Sequence, residues 1–223
     1  MRLGVIADVH ANLPALEAVL SDMPPIDDVV CAGDVVGYNP WPVECVKRIR
    51  EVASVTVQGN HDRMVRKPAR YRHNRMAEAG LEYALEALDE DQLAWLDGLP
   101  FRAEIANGEY LLCHSHPCPS KRGTYVYPSE FPSVRPEIDE YRGCILGHTH
   151  VQHEATIDNR LIINPGSVGQ PRDDDPRAAY AVLDTETNSV DLRRIEYNVE
   201  RVQARIRAEG LPERTATRLG QGR

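Results

Sequence analysis

Side chains able to hold a cation recur in short clusters: Asp8-Val9-His10, Gly33-Asp34, Gly59-Asn60-His61-Asp62, His114 and Gly147-His148-Thr149-His150. In an extended segment, residues i and i+2 point the same way, so Asp8 and His10 can reach one ion, and His148 and His150 form a second such pair. The same alternation separates Asn60, which can face a metal, from His61, which then faces whatever binds above it. Two carboxylates (Asp8, Asp34), one amide oxygen (Asn60) and four imidazoles (His10, His114, His148, His150) are too many ligands for one ion. They suit two borderline divalent cations, with manganese first and iron, zinc, cobalt or nickel as alternatives. Two dications against two carboxylates leave an electropositive pocket, and a phosphate ester is the anion such a pocket fits.

The clusters follow strand-like runs, where open α/β sheets place their sites. Leu3–Ala7, Asp28–Ala32 and Val52–Gln58 read as strands, and helical patterns at Leu13–Leu20 and Trp41–Glu51 separate them, which is the signature of a parallel sheet. Helical patterns at Met76–Leu88 and Glu90–Leu96 follow. Strands are then predicted at 101–106 and 109–113 around the hairpin signal Asn107-Gly108, and at 143–146, 154–157, 161–163, 178–183 and 189–195. A βαβ half followed by a strand-rich half predicts two sheets packed face to face with helices outside. Residues 200–207 read as a last helix. The expected organisation is one domain over residues 1–210 with a flexible tail at 211–223.

Hydrophobic residues make up 42% of the 223 and charged residues 27%, which excludes a disordered chain. No apolar run approaches the roughly 20 residues a membrane-spanning helix needs. The strand-like start after Met1-Arg2 carries no signal-peptide pattern, so a cytoplasmic protein is expected. Five cysteines without a C-x-x-C pair read as core thiols. The net charge of −8 speaks against a protein that coats itself with nucleic acid.

Taken together and in order, D-x-H (Asp8, His10), GD (Gly33-Asp34), GNHD (Gly59–Asp62), the lone His114 and GHTH (Gly147–His150) resemble the calcineurin-like metallophosphoesterases, and in particular the small prokaryotic phosphodiesterases among them. The resemblance implies a four-layer α/β/β/α sandwich of two mixed sheets. It implies one metal on Asp8, His10, Asp34 and His150 and a second on Asp34, Asn60, His114 and His148, with Asp34 bridging. It further implies attack on phosphorus by a hydroxide shared between the ions, with His61 protonating or hydrogen-bonding the leaving oxygen. Phosphoprotein phosphatases of this superfamily follow GD with a second Asp and an Arg-Gly. Here the chain reads Val35-Val36-Gly37-Tyr38, which speaks against that activity.

Asp62 either orients His61 or caps a following helix, and the cap is favoured. His116, near His114 in a proline-rich loop, is a weaker ligand candidate. The segment from Arg63 to Arg75 holds Arg66, Lys67, Arg70, Arg72 and Tyr71. It is either a solvated face or a lip in which Arg66 and Arg70 bind substrate phosphate beside Asn60 and His61. The lip would favour a small phosphate-ester substrate such as a nucleotide, or, as the alternative function, single-stranded nucleic acid cut by a nuclease. A non-catalytic scaffold of the same fold is the rival from another class; it predicts broken motifs, and these are intact. Nothing in the sequence fixes the oligomeric state, with a homodimer one option.

Overall fold

Residues 1–223 are described by a computed structural model. In chain order the elements are β1 (Arg2–Ile6), α1 (Leu13–Asp22), β2 (Asp28–Cys31), α2 (Pro42–Val52), β3 (Ala53–Thr56), α3 (Asn60–Met64), α4 (Arg75–Ala87) and α5 (Glu90–Gly98). Then come β4 (Arg102–Ile105), β5 (Tyr110–Cys113), β6 (Gly143–Ile145), β7 (His153–Ile157), β8 (Arg160–Asn164), β9 (Ala178–Asp184), β10 (Ser189–Ile195), α6 (Val199–Ala208) and α7 (Glu213–Leu219). Two five-stranded mixed sheets result, ordered β10-β9-β1-β2-β3 and β4-β5-β6-β8-β7. The parallel pairs β1–β2 and β2–β3 are joined by helical crossovers, and β4 and β5 form the antiparallel hairpin. Asn107 and Gly108 at its turn both have positive φ, as such a turn requires.

The period-2 pattern sorts side chains between layers. Leu3, Val5, Val30, Ala181 and Leu183 from the first sheet meet Leu112, Ile145, Leu161 and Ile163 from the second in the core between the sheets. Their alternating neighbours Ile6, Val29, Cys31, Tyr180 and Val182 face outward into the larger core beneath the helices. Burying one such aliphatic side chain stabilises the fold by about 1.5–3 kcal/mol, so register is tightly specified. The outer face of the second sheet is covered mainly by a 3₁₀ segment, Pro128–Glu137, which seats Phe131 and Val134 on Leu111, Cys113, Cys144 and Ile162. Pro132 and Pro136 within it deny the backbone the N–H groups an α-helix needs.

The end of the chain differs from the expected flexible tail. Residues 213–219 form α7, and Ala216 and Leu219 are buried in the helix-side core with Leu211. The cue is two apolar residues spaced by three in a short polar stretch, too little periodicity to stand out in sequence. No helix is long and apolar enough to cross a membrane.

Candidate metal centre

Every cluster named above sits in a loop at the carboxyl end of a strand. Asp8 and His10 follow β1, Asp34 follows β2, Asn60 and His61 follow β3, His114 follows β5, and His148 and His150 follow β6. The two sheets are packed face to face there, so the loops converge at one edge. They do so through a backbone other than the extended one the spacing suggested. Asp8, His10, Asp34, His148 and His150 all have positive φ, between 47° and 70°. In this left-handed conformation an i, i+2 pair need not share a direction. Asp8, His10 and His150 form one group, whereas His148 joins Asp34 and His114 in another. Asn60 and His61 likewise are not separated by strand alternation. They occupy the first turn of α3, where successive side chains diverge by about 100°.

The hydrogen bonds fix which ring nitrogens carry lone pairs. Nδ1 of His10 donates to the Val36 carbonyl (3.1 Å), Nδ1 of His150 to Gln170 (2.6 Å) and Nδ1 of His114 to Ala32 (2.7 Å). A neutral imidazole with Nδ1 protonated has only a lone pair at Nε2. Nε2 of His10 and Nε2 of His150 nevertheless face each other at 3.1 Å, and both lie near Asp8 Oδ1, at 3.7 and 3.3 Å. Asp8 Oδ1 is fully buried with no hydrogen-bond partner, while Oδ2 accepts from the backbone of His148. Nε2 of His114 faces Asn60 Oδ1 at 3.0 Å and Asp34 Oδ2 at 3.4 Å. His148 reverses the pattern: its Nε2 donates to Gly123, which leaves Nδ1 as the lone-pair atom. A set of buried acceptors pointing at one another is the donor set of a cation site and is costly without one.

Asp34 occupies the middle. Its Oδ2 lies 3.6 Å from His10 and 3.4 Å from His114, within reach of both groups, and its Oδ1 accepts from the backbone of His61. The Asp62 carboxylate accepts from the backbone N–H groups of Asp34, Val35, Val36 and Gly59. It therefore ties the GD loop to the start of α3 and does not touch the His61 ring through a hydrogen bond. Gly59 is required by crowding, since a Cβ there would lie 2.0 Å from Asp34 Oδ1.

Electrostatics follow from burial and from Asp34. Burial holds His61 down to about 4, and burial followed by His114 holds His148 down to about 3. At His114 burial pulls the same way, but the Asp34 carboxylate outweighs it and pushes the ring up to about 10. At Asp8, burial is outweighed chiefly by His150, and the carboxyl falls to about 2.

The His61 ring packs on His10, Tyr38 and Tyr71 at centroid distances of 4.7 to 5.0 Å, and its Nδ1 is buried with no partner. Gly37, at φ 99°, lets it sit there: a Cβ would stand 2.3 Å from Nδ1. Gly37→Ala is therefore expected to push the ring out of place and to strain the loop, lowering kcat by roughly 10²-fold while the bound metal, measured by elemental analysis, is retained. Unchanged kcat would show that the ring position is immaterial.

Above these groups opens a cleft of about 580 Å³. Asp34, Asn60, His61, His148 and His150 form its floor, and Arg63, Lys67, Arg70, Tyr71, Arg122, Tyr125, Tyr38 and Arg172 its walls. Arg70 thus stands where the sequence suggested, but Arg66 does not. Its guanidinium is turned outward to Glu90 and Asp97, outside the cleft. Arg72 also lies outside the lining. His116 donates from Nε2 to the Ser133 carbonyl, accepts at Nδ1 from the Cys118 N–H, and joins no cation group. The turn Asn164–Ser167 braces the loops: Asn164 Nδ2 donates to Gly147 and Thr149, and Ser167 donates to Asp8. Tyr38, Arg122, Tyr125 and Arg172 were not legible as cleft residues. They come from loops far apart in sequence, and only the fold brings them together.

The family model described as calcineurin-like phosphoesterase superfamily domain matches residues 1–188. A metallophosphoesterase of known structure from Sphaerobacter thermophilus is 37% identical, with a TM-score of 0.87 and full coverage of both chains. The uncharacterized protein MJ0912 of Methanocaldococcus jannaschii is 32% identical over 99% of this chain and 98% of its own. Phosphodiesterase YfcE of Escherichia coli strain K12 is 25% identical over 85% of this chain and 91% of its own.

Proposed function

Because the chain belongs to the calcineurin-like phosphoesterase superfamily, we propose that it is a phosphodiesterase that works with two divalent cations, manganese first among those its nitrogen and oxygen donors suit. The observation that carries this reading is the convergence of imidazole nitrogens and buried carboxylate oxygens on both sides of Asp34 Oδ2. One cation would be held by Asp8, His10, Asp34 and His150, and the other by Asp34, Asn60, His114 and His148. When bound, such a pair supplies Lewis-acid polarisation of the phosphoryl oxygens and acidifies water into a nucleophile at neutral pH.

The chain's own groups do the rest. Tyr71 accepts from Asn60 Nδ2 at 2.5 Å, which turns Asn60 Oδ1 toward His114. His61, held by stacking in the floor of the cleft, presents a ring nitrogen to the leaving oxygen and gives it a hydrogen bond from the neutral ring, or a proton once the charge of bound phosphate has raised it from about 4. Arg70 and the other basic wall residues neutralise the rest of the substrate's charge. Diester hydrolysis is favoured by the name of the Escherichia coli relative.

The test is exhaustive chelation of the full chain followed by titration with manganese, assayed on bis(p-nitrophenyl) phosphate. Activity should be lost on chelation and return as two equivalents bind. Full activity in the chelated protein, or saturation at one equivalent, would overturn the reading.

A further inference from the structure

Outside the cleft, arginines are commonly matched to acids: Arg48 to Glu17, Arg50 to Asp91, Arg66 to Glu90, Arg75 to Glu78 and Arg194 to Asp173. The five basic residues of the cleft walls, Arg63, Lys67, Arg70, Arg122 and Arg172, have no carboxylate in ion-pair range. The side chain of Arg172 hydrogen-bonds only Tyr38 and Gln170, and its buried Nε has no partner; Arg122 hydrogen-bonds only Gln58 and lies over the Phe101 ring. In a chain of net charge −8, leaving five neighbouring cations unmatched is a local excess that one phosphodiester charge would not balance.

A second observation concerns the rim. The exposed large apolar side chains of the protein are Met1, Tyr125 and Tyr127, and the two tyrosines stack on each other at 5.8 Å and 17°. Tyr125 also stacks on His148 at 4.0 Å and 10° and lines the cleft, so it is held upright at the mouth. The exposed Tyr125–Tyr127 pair, anchored through Tyr125 on His148 and standing beside unmatched cations, fits a planar base attached to a phosphate chain.

We infer that the substrate is a nucleoside polyphosphate, with its base against the exposed Tyr125–Tyr127 pair at the rim and its additional phosphoryl groups along Arg63, Lys67, Arg70, Arg122 and Arg172. This rests on the phosphoesterase reading and narrows it. Hydrolysis would add the hydroxyl of water to the attacked phosphorus and the proton to the leaving oxygen, giving two phosphate-bearing products. A cleft of about 580 Å³ is the size of a small-molecule site and favours a nucleotide over a nucleic-acid strand.

The experiment is calorimetric titration of the metal-loaded full chain with the non-hydrolysable α,β-methylene ADP, with AMP, with pyrophosphate and with a single-stranded dodecanucleotide, at several salt concentrations. The ADP analogue should bind at least tenfold more tightly than AMP or pyrophosphate. Tyr125→Leu should weaken the analogue about tenfold and leave pyrophosphate unaffected, and Tyr125→Phe should restore it. Lys67→Gln with Arg70→Gln should weaken analogue and pyrophosphate alike and flatten the salt slope by about one to two. Arg66→Gln, outside the cleft, should change neither. Equal affinity for AMP and the analogue, or a dodecanucleotide that binds more tightly with a steeper salt slope, would overturn the inference. Hydrolysis of bis(p-nitrophenyl) phosphate by the same preparation reports separately on the phosphoesterase reading, which stands if only the nucleotide preference fails.

Discussion

Asp34→Asn is expected to reduce bound metal to at most one ion per chain and to lower kcat on a phosphodiester by at least about 10³-fold. Asp34 Oδ2 is the one carboxylate oxygen within reach of both His10 and His114. A neutral amide offers a single weakly donating oxygen there and cannot offset the charge of two dications. Lewis-acid assistance is worth several kcal/mol and each 1.4 kcal/mol is about tenfold, which sets the size of the loss. The substitution should leave the backbone anchoring intact, because the Asp34 N–H still donates to Asp62. Elemental analysis and circular dichroism separate the cases. Two full-occupancy ions with activity retained would remove Asp34 from the bridging position, and loss of the folded spectrum would make the substitution uninformative about metal, in which case the smaller neutral Asp34→Ser takes its place and should also lose one ion.

The second large effect is at His61. His61→Gln should keep both metals, since the ring lies among His10, Tyr38 and Tyr71 and the neighbouring Asn60 is the group aimed at His114. The loss of activity should depend on the leaving group. Nitrophenolate departs with little protonation, whereas an alkoxide such as a ribose oxygen needs a great deal, and general acid catalysis is worth about 10² to 10⁴ in rate. The variant should fall by that factor on an alkyl or nucleoside ester and by about tenfold or less on an aryl ester. Equal losses on both would mean that His61 only positions phosphate. A lost metal would make it a ligand, which its proximity to His10 and Asp34 makes a meaningful control.

The two sheets and nearly every strand were legible because strand-length apolar runs alternate with helical periods. Ser189–Ile195 and the β4–β5 hairpin fall where pattern and turn chemistry put them. The polar clusters were legible because they come as short motifs on consecutive strand ends. How those loops turn was not. Alternation is a property of extended backbone, and the loops leave it at Asp8, Asp34 and His148, where φ changes sign. Asp and His enter the left-handed region more readily than most residues, but that tendency is too weak to say which of them will. The arginine segment failed differently: Arg66 and Arg70 are equivalent in sequence, and only the position of Glu90 and Asp97 on α5 and its end pulls Arg66 away.

The positive φ values have a consequence for the protein's history of change. A left-handed conformation costs a residue with a side chain about 1–2 kcal/mol, so the five metal-site residues, with Tyr38 of the cleft wall as a sixth, carry strain comparable with the net stability of a whole domain. Glycine would relieve that strain at each position, and would also remove a buried charge or lone pair. Selection for thermal robustness alone would therefore erode Asp8, His10, Asp34, His148 and His150 before it touched the sheets. An engineer seeking a hardier version should therefore leave these positions alone and look for stabilising changes in α6, α7 and the outer 3₁₀ layer.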